Sequence, residues 1–263
     1  MKNKAERTIY YSDEQNDEFA FDQKKDVEVG ADFKYIRKNL IWNFLAFIAY
    51  RIIMTPIAFL YCKIKFRLKI ENAEVLKPYR KKGVFIYGNH TLEAGDAFIP
   101  NLITFPQKTF VIVRSANIST KGTKNFIMMN GALPIPTKLA GMRNFMNALE
   151  KRILQGYAVM IYPEAHIWPY FTGIRNFKSV SMNYPVKFGA PSFTSTVTYV
   201  KPKRGNKPNI VVYVDGPFFP DEGLSDKEKC EDLKRKVFAK MSERAKLSNY
   251  EYIKYIKKEE KND

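Results

Sequence analysis

Two histidines, each a few residues from a carboxylate, are the side chains of this 263-residue sequence best suited to proton transfer. His90 lies in GNHTLEAGD (88–96) and His166 in YPEAH (162–166), each after an apolar run, VFIY (84–87) or AVMI (158–161). A carboxylate bonded to one imidazole nitrogen fixes the tautomer and stabilises the imidazolium formed when the other nitrogen takes a proton. His90 paired with Asp96 therefore suits a general base acting on a hydroxyl. Glu93, three residues on, can reach the same ring from one helical face. Such a base needs no covalent nucleophile.

The same residues admit a second chemistry. His90, Asp96, Glu164 and His166 form a two-His, two-carboxylate set, and GNH is similar to the GNHD block of metallophosphatases, so a metal-dependent hydrolase is the alternative. No Asp-x-His or GD-x-x-[DG] block precedes GNH, and two histidines are too few to fill two metal shells. The expectation is no metal.

The elements that must hold these residues follow from hydropathy. VFIYG, TFVIV, GALPIP, YAVMIYP, SFTSTVTYV and NIVVYVDG read as strands. Residues 138–155 carry Leu139, Met142, Phe145, Met146, Leu149 and Ile153 at helical spacing. Alternating strands and helices predict an α/β fold, and its strand ends are where ligand sites gather. Ser225 with Glu228 is a capping-box pattern that starts a long, charged helix at about 225, with Leu233, Val237 and Met241 on one face and a solvated, lysine-rich end.

Residues 39–61 are apolar over about the length of a bilayer crossing. Arg51 near the centre would cost roughly 2.5–3.5 kcal/mol, and Pro56 breaks or kinks a helix. Basic residues flank both sides and give no direction. The segment reads as a monotopic hairpin or interfacial helix, with Trp42, Tyr50 and Tyr61 at headgroup level and the lysines on anionic lipid. The division expected is a polar, loosely packed arm over 1–33, a membrane-associating helical segment over 34–70, and an α/β domain over 71–263. No signal peptide opens the chain.

The charge, 44 Lys and Arg against 27 Asp and Glu for a net +17, predicts anionic partners. No helix-turn-helix, zinc or RNA-recognition block supports nucleic acid. The two cysteines, Cys62 and Cys230, lie far apart and predict neither disulfide nor zinc knuckle, consistent with a cytoplasmic setting.

Asn89-His90 with Asp96 downstream, then Tyr162-Pro163-Glu164, resemble blocks of the glycerolipid acyltransferases, the 1-acylglycerol-3-phosphate acyltransferase family. In that family a basic, apolar N-terminal segment precedes the His-Asp block, followed by a GAIFVDR-like strand, FPEGTRS and a PIVPV strand. Residues 39–61, GALPIPT, YPEAHIW and APSFTSTVTY are similar to them in order and spacing, over roughly residues 35–220. The resemblance implies a mixed sheet flanked by helices and a fatty acyl transfer from acyl-CoA or acyl-carrier protein to a lysophospholipid hydroxyl in phospholipid biosynthesis, at the cytoplasmic face of a membrane. It implies His90 and Asp96 as catalytic residues, no bound cofactor, and Asn89, Glu93, Thr137, Lys138, Glu164 and His166 on the substrate side.

Two departures from the family pattern stand out. Five residues rather than four separate His90 from Asp96, which on an undistorted helix puts them on different faces. A loop or bulge at Gly95, using positive φ, is expected to restore the contact. The two family arginine positions hold Thr137 and Ile167, so Lys138, Arg143, Arg175 or Lys178 must supply any phosphate-binding charge. With those positions altered, a non-catalytic lipid-binding protein on the same fold is a further alternative.

Overall fold

The computed structural model describes residues 7–19, 25–120 and 122–258. In chain order these form β1 (Thr8–Tyr11), α1 (Leu40–Phe47), a π-helical segment (Ile48–Met54), α2 (Thr55–Lys65), β2 (Lys69–Glu71), β3 (Val84–Gly88) and α3 (Glu93–Thr104). Then come β4 (Thr109–Val113), α4 (Lys124–Met129), β5 (Ala132–Pro134), α5 (Met142–Leu154), β6 (Ala158–Ile161) and α6 (Asn183–Phe188). β7 (Ser192–Val200), β8 (Asn209–Phe218), α7 (Asp226–Ala245) and β9 (Lys254–Lys257) complete the order.

Seven strands make one sheet in the order β2-β8-β7-β3-β6-β4-β5, parallel throughout except for the β7–β8 pair. β3 and β6 are buried at every position, as apolar strands covered on both faces must be. Phe85, Tyr87, Val159 and Ile161 point into one core layer with Phe145 and Leu149 of α5 and Leu233, Val237 and Met241 of α7. Val84, Ile86 and Met160 point into the other, with Cys62 and Phe66 from the end of the α2 region and Ile99 and Ile103 of α3. All six strand runs read from hydropathy are strands here. The capping box at Ser225 forms, with both reciprocal bonds to Glu228. Leu139 departs from its expected apolar face: it precedes α5 and is 87% exposed.

The apolar segment is one continuous helix over Leu40–Lys65, not a hairpin. Pro56 does not break it, because the preceding turns widen to π geometry: the Thr55 N–H bonds Tyr50 O, and Pro56 falls in the first turn of α2, where its missing N–H is least felt. Ala46, Ala49, Tyr50, Ala58 and Cys62 form the face turned to the protein. Phe44, Phe47, Ile52, Ile57, Phe59, Leu60 and Ile64 remain exposed, and only 22% of the most apolar stretch is buried, so this is not a core helix. By length and composition it is the one helix among the described residues able to cross a membrane. Tyr50 is not a headgroup anchor. It is 5% exposed, and its hydroxyl accepts the Thr109 N–H at 3.0 Å. Arg51 turns to the protein as well, donating to Pro106 O at 2.6 Å.

The described part of the N-terminal arm is packed, not loose. β1 pairs with β9 in parallel, Val29 is fully buried, and its N–H donates to Thr137 Oγ1 at 3.0 Å. The reason lies far along the chain: Tyr11 and Phe19 pack against Trp168, a partner no local pattern announces. Residues 1–6 and 20–24 of the arm, and 259–263 of the lysine-rich end, lie outside the described residues.

Candidate active site

His90 sits in the extended loop that leaves β3, not on a helix. α3 begins at Glu93, and Asp96 stands one turn into it. Asp96 Oδ2 lies 2.7 Å from His90 Nδ1 and accepts the Leu92 N–H at 3.0 Å. The carboxylate thus caps the start of its own helix and holds the ring with the same oxygen. With Nδ1–H committed to Asp96, the neutral ring carries its lone pair on Nε2. Tyr162 stacks on the imidazole at 4.6 Å and donates its hydroxyl to Asp96 O at 2.6 Å. Burial pushes the Asp96 carboxyl above its ordinary range, opposed by the bond to His90.

Helical rotation does not govern this pair, because only one partner is helical. The expected bulge at Gly95 is absent: Gly95 is an ordinary residue of α3. Its lack of a side chain serves packing instead. A Cβ there would meet Leu92 Cβ at 2.9 Å and Phe66 Cε2 at 3.2 Å. Gly95→Ala should therefore destabilise the protein by about 1–3 kcal/mol, the usual cost of overpacking, read as a lower urea midpoint.

Glu164, 4% exposed, lies beneath the loop. It accepts the His90 N–H at 3.0 Å, the Arg175 N–H at 3.0 Å and the Arg175 guanidinium at 3.2 Å. Arg175, 1% exposed, also donates to His166 O. Burial pushes the Glu164 carboxyl up and the Arg175 guanidinium down, while their attraction works against both shifts. Backbone bonds from Trp168 N to His90 O and from Tyr170 N to Thr91 O lace the two loops together. Ala165 turns the chain after Glu164 with φ 64°, in the left-handed region that favours glycine, and the bonds around it hold that strain.

A cavity of about 1390 Å³ opens beside the ring. Its wall includes His90, Glu93 and Asp96, then Met54 and Ala58 of the apolar helix with Ala97 and Phe98 of α3, and elsewhere Arg114, His166 and Lys178. The space therefore joins the His90–Asp96 pair to the exposed apolar helix.

The other expected substrate residues distribute unevenly. Asn89 is 1% exposed and spends its amide on Val197, donating to O at 3.0 Å and accepting from N at 2.8 Å; it ties β3 to β7 and does not line the cavity. Thr137 and Lys138 also lie off the cavity wall: Thr137 holds the Val29 backbone, and Lys138 pairs with Glu28 at 2.7 Å. Arg143 is exposed on α5, and Arg175 is bound to Glu164. His166 Nδ1 stands 3.4 Å from the Glu18 carboxylate, outside hydrogen-bond geometry. Arg114, at the carboxyl end of β4, is the cation that sequence reasoning passed over, and it pairs with Glu18 at 2.9 Å. A cation directly after the TFVIV run was the available signal. Among the described residues no three His, Cys, Asp or Glu side chains are grouped to hold a metal, since Asp96 and Glu164 are turned to His90 and Arg175.

No protein-family model matches the sequence, and no curated protein sequence matches it. Among solved structures, the 1-acyl-sn-glycerophosphate (LPA) acyltransferase PlsC from Thermotoga maritima is similar at a TM-score of 0.55, over 80% of this chain and 89% of that one, with 17% identity. At that identity the likeness is one of architecture, and it establishes a glycerolipid-acyltransferase-like fold, a mostly parallel sheet flanked by helices with an apolar helix ahead of it.

Proposed function

We propose that this protein transfers a fatty acyl group from a thioester, acyl-CoA or acyl-carrier protein, to the hydroxyl of a lysophospholipid at a membrane surface. The observation that carries the reading is the 2.7 Å His90–Asp96 contact on the wall of a cavity that the exposed apolar helix also lines. An acceptor whose chain enters from the bilayer past Met54 and Ala58 reaches His90 without leaving the cavity. Nε2 takes the hydroxyl proton as the oxygen attacks the thioester carbonyl. The tetrahedral oxyanion then collapses, the C–S bond breaks, and the departing thiolate takes the proton back from the imidazolium. Asp96 stabilises that imidazolium without being protonated itself. No bound cofactor enters the scheme.

Arg114, which pairs with Glu18, and Lys178 put two cations on a cavity wall that also carries acidic side chains, and these two are the groups a phosphate-bearing acceptor would meet. The likeness to an acyltransferase that acts on a glycerophosphate supports the same substrate class. Detergent-solubilised protein given labelled thioesters and a panel of lysolipids tests the reading. Transfer to at least one acceptor is expected, and consistent absence of turnover would leave a lipid-binding protein on this fold.

Asp96→Asn separates charge from geometry. The amide oxygen can replace Oδ2, keeping the Leu92 N–H bond and the ring orientation, while the negative charge is lost. The expected result is roughly a 10²-fold lower kcat with little change in KM, and a deeper loss for Asp96→Ala, which also releases the tautomer.

A further inference from the structure

A second cavity, of about 850 Å³, lies at the opposite edge of the sheet from His90, beside the amino ends of β4 and β6, with Gln107, Lys108, Gly156 and Tyr157 on its wall. Its charge is extreme. Nine Lys and Arg residues line it, with no Asp or Glu, and among the described residues none of the nine forms an ion pair.

Three of these cations converge at depth. Arg152 lies over the Phe110 ring at 4.4 Å, and Lys108 over the Tyr50 ring at 4.8 Å with its ammonium donating to Met129 O at 3.1 Å. Arg51 reaches in from the apolar helix. Arg51 Nη1 and Arg152 Nε are buried donors with no acceptor. Buried like charges without a counter-ion repel each other, and Lys108 shows it: burial, then Arg152 and Arg51, push its pKa down to about 8. Holding three such cations together costs stability unless an anion completes the site.

We infer that this cavity binds the phosphate of an anionic phospholipid, with the lipid chains lying along the exposed apolar face of the helix that contributes Arg51. The occupant is a lipid rather than a soluble phosphate because the wall is continuous with that face. Trp42, Ala46 and Phe47 of α1 line the cavity, while Ile41, Phe44 and Leu45 beside them are exposed. Arg37 stacks over Trp42 at 3.7 Å, placing a cation and an aromatic ring together as a headgroup boundary favours. The site stands on the far edge of the sheet from the His90 loop and does not depend on acyl transfer.

The test uses the full chain and vesicles of phosphatidylcholine alone or with phosphatidate, phosphatidylglycerol or phosphatidylserine at matched surface charge. Lys108→Gln with Arg152→Gln is compared with a charge-matched control, Lys227→Gln with Lys246→Gln, on and just after α7, neither of which lines the cavity. The expected result is at least a tenfold loss of partitioning into anionic vesicles for the cavity variant, less than threefold for the control, and unequal affinity among the anionic lipids for the unaltered protein. Thermal melts report whether the cavity variant is folded; the headgroup discrimination of the unaltered protein tests the site even if it is not. Equal losses in both variants, or equal affinity for all anionic headgroups, would mean a diffuse surface field and overturn the site. Saturable binding of inorganic phosphate or glycerol phosphate that the cavity variant abolishes, with vesicle binding unchanged, would assign a soluble ligand and overturn the lipid.

Discussion

His90→Ala is expected to lower the rate of acyl transfer by roughly 10²–10⁴-fold, the range that a positioned general base contributes. KM for the acceptor should change little, because the ring is asked to move a proton rather than to hold the lipid. The fold should survive. The ring is partly exposed, and the loop is held by backbone bonds that the substitution leaves in place, namely His90 N–H to Glu164 and His90 O to Trp168. Circular dichroism and a thermal melt check the fold, and single-turnover acyl transfer checks the chemistry. Because Asp96 acts through the ring, adding Asp96→Asn to His90→Ala should cost nothing further. Full activity in His90→Ala would sink the proposed mechanism.

The second large effect is expected in stability. Arg175→Met leaves the Glu164 carboxylate at 4% exposure without its cationic partner, and breaking a buried pair from one side costs about 3–5 kcal/mol. For a chain of this size that is a fall in Tm on the order of 10 °C. Removing both charges with Arg175→Met and Glu164→Gln should recover part of the loss, since no uncompensated charge then remains. The pH dependence has a definite sign. Burial already raises Glu164 above its ordinary value of 4.5, and Arg175 is the largest influence pulling it down. Without that arginine the folded state holds a proton that the unfolded state releases. The variant's stability should therefore fall as pH rises from about 4.5 through the raised folded value, making its deficit larger at pH 7.5 than at pH 5. Melts at the two pH values read this directly, and an equal deficit at both would contradict it. Activity should fall too, because Glu164 holds the His90 N–H.

Much of the framework was legible because it rests on local pattern. Buried parallel strands must be continuous apolar runs, and VFIYG, TFVIV and AVMI could be little else. Ser225 and Glu228 satisfy each other's backbone donors within four residues, so the start of α7 is written where it occurs. Strand-end histidines close to carboxylates pointed to the site for the same reason, since strand ends converge at one edge of such a sheet.

The roles within the site were less legible, because they depend on which elements meet. Helical rotation was the wrong frame for His90 and Asp96, since the helix starts only at Glu93 and the ring approaches from a loop. Tyr50 looked like an interfacial anchor by its place in an apolar segment, yet the Thr109 backbone, 59 residues on, draws it inside. Thr137 and Lys138 looked like acceptor contacts by motif position, yet Val29 and Glu28 of the N-terminal arm claim them.

By itself, then, the sequence determined the α/β class, the strand runs, the cap of α7, the apolar helix and the pair of histidine–carboxylate blocks, all set by interactions among residues close along the chain. The tertiary structure alone decided that Asp96 holds the imidazole, that Glu164 is bound by Arg175 under the loop, and that Arg51, Lys108 and Arg152 converge at the far edge of the sheet. Those outcomes depend on burial and on partners brought together by strand order, and neither is encoded in spacing along the chain.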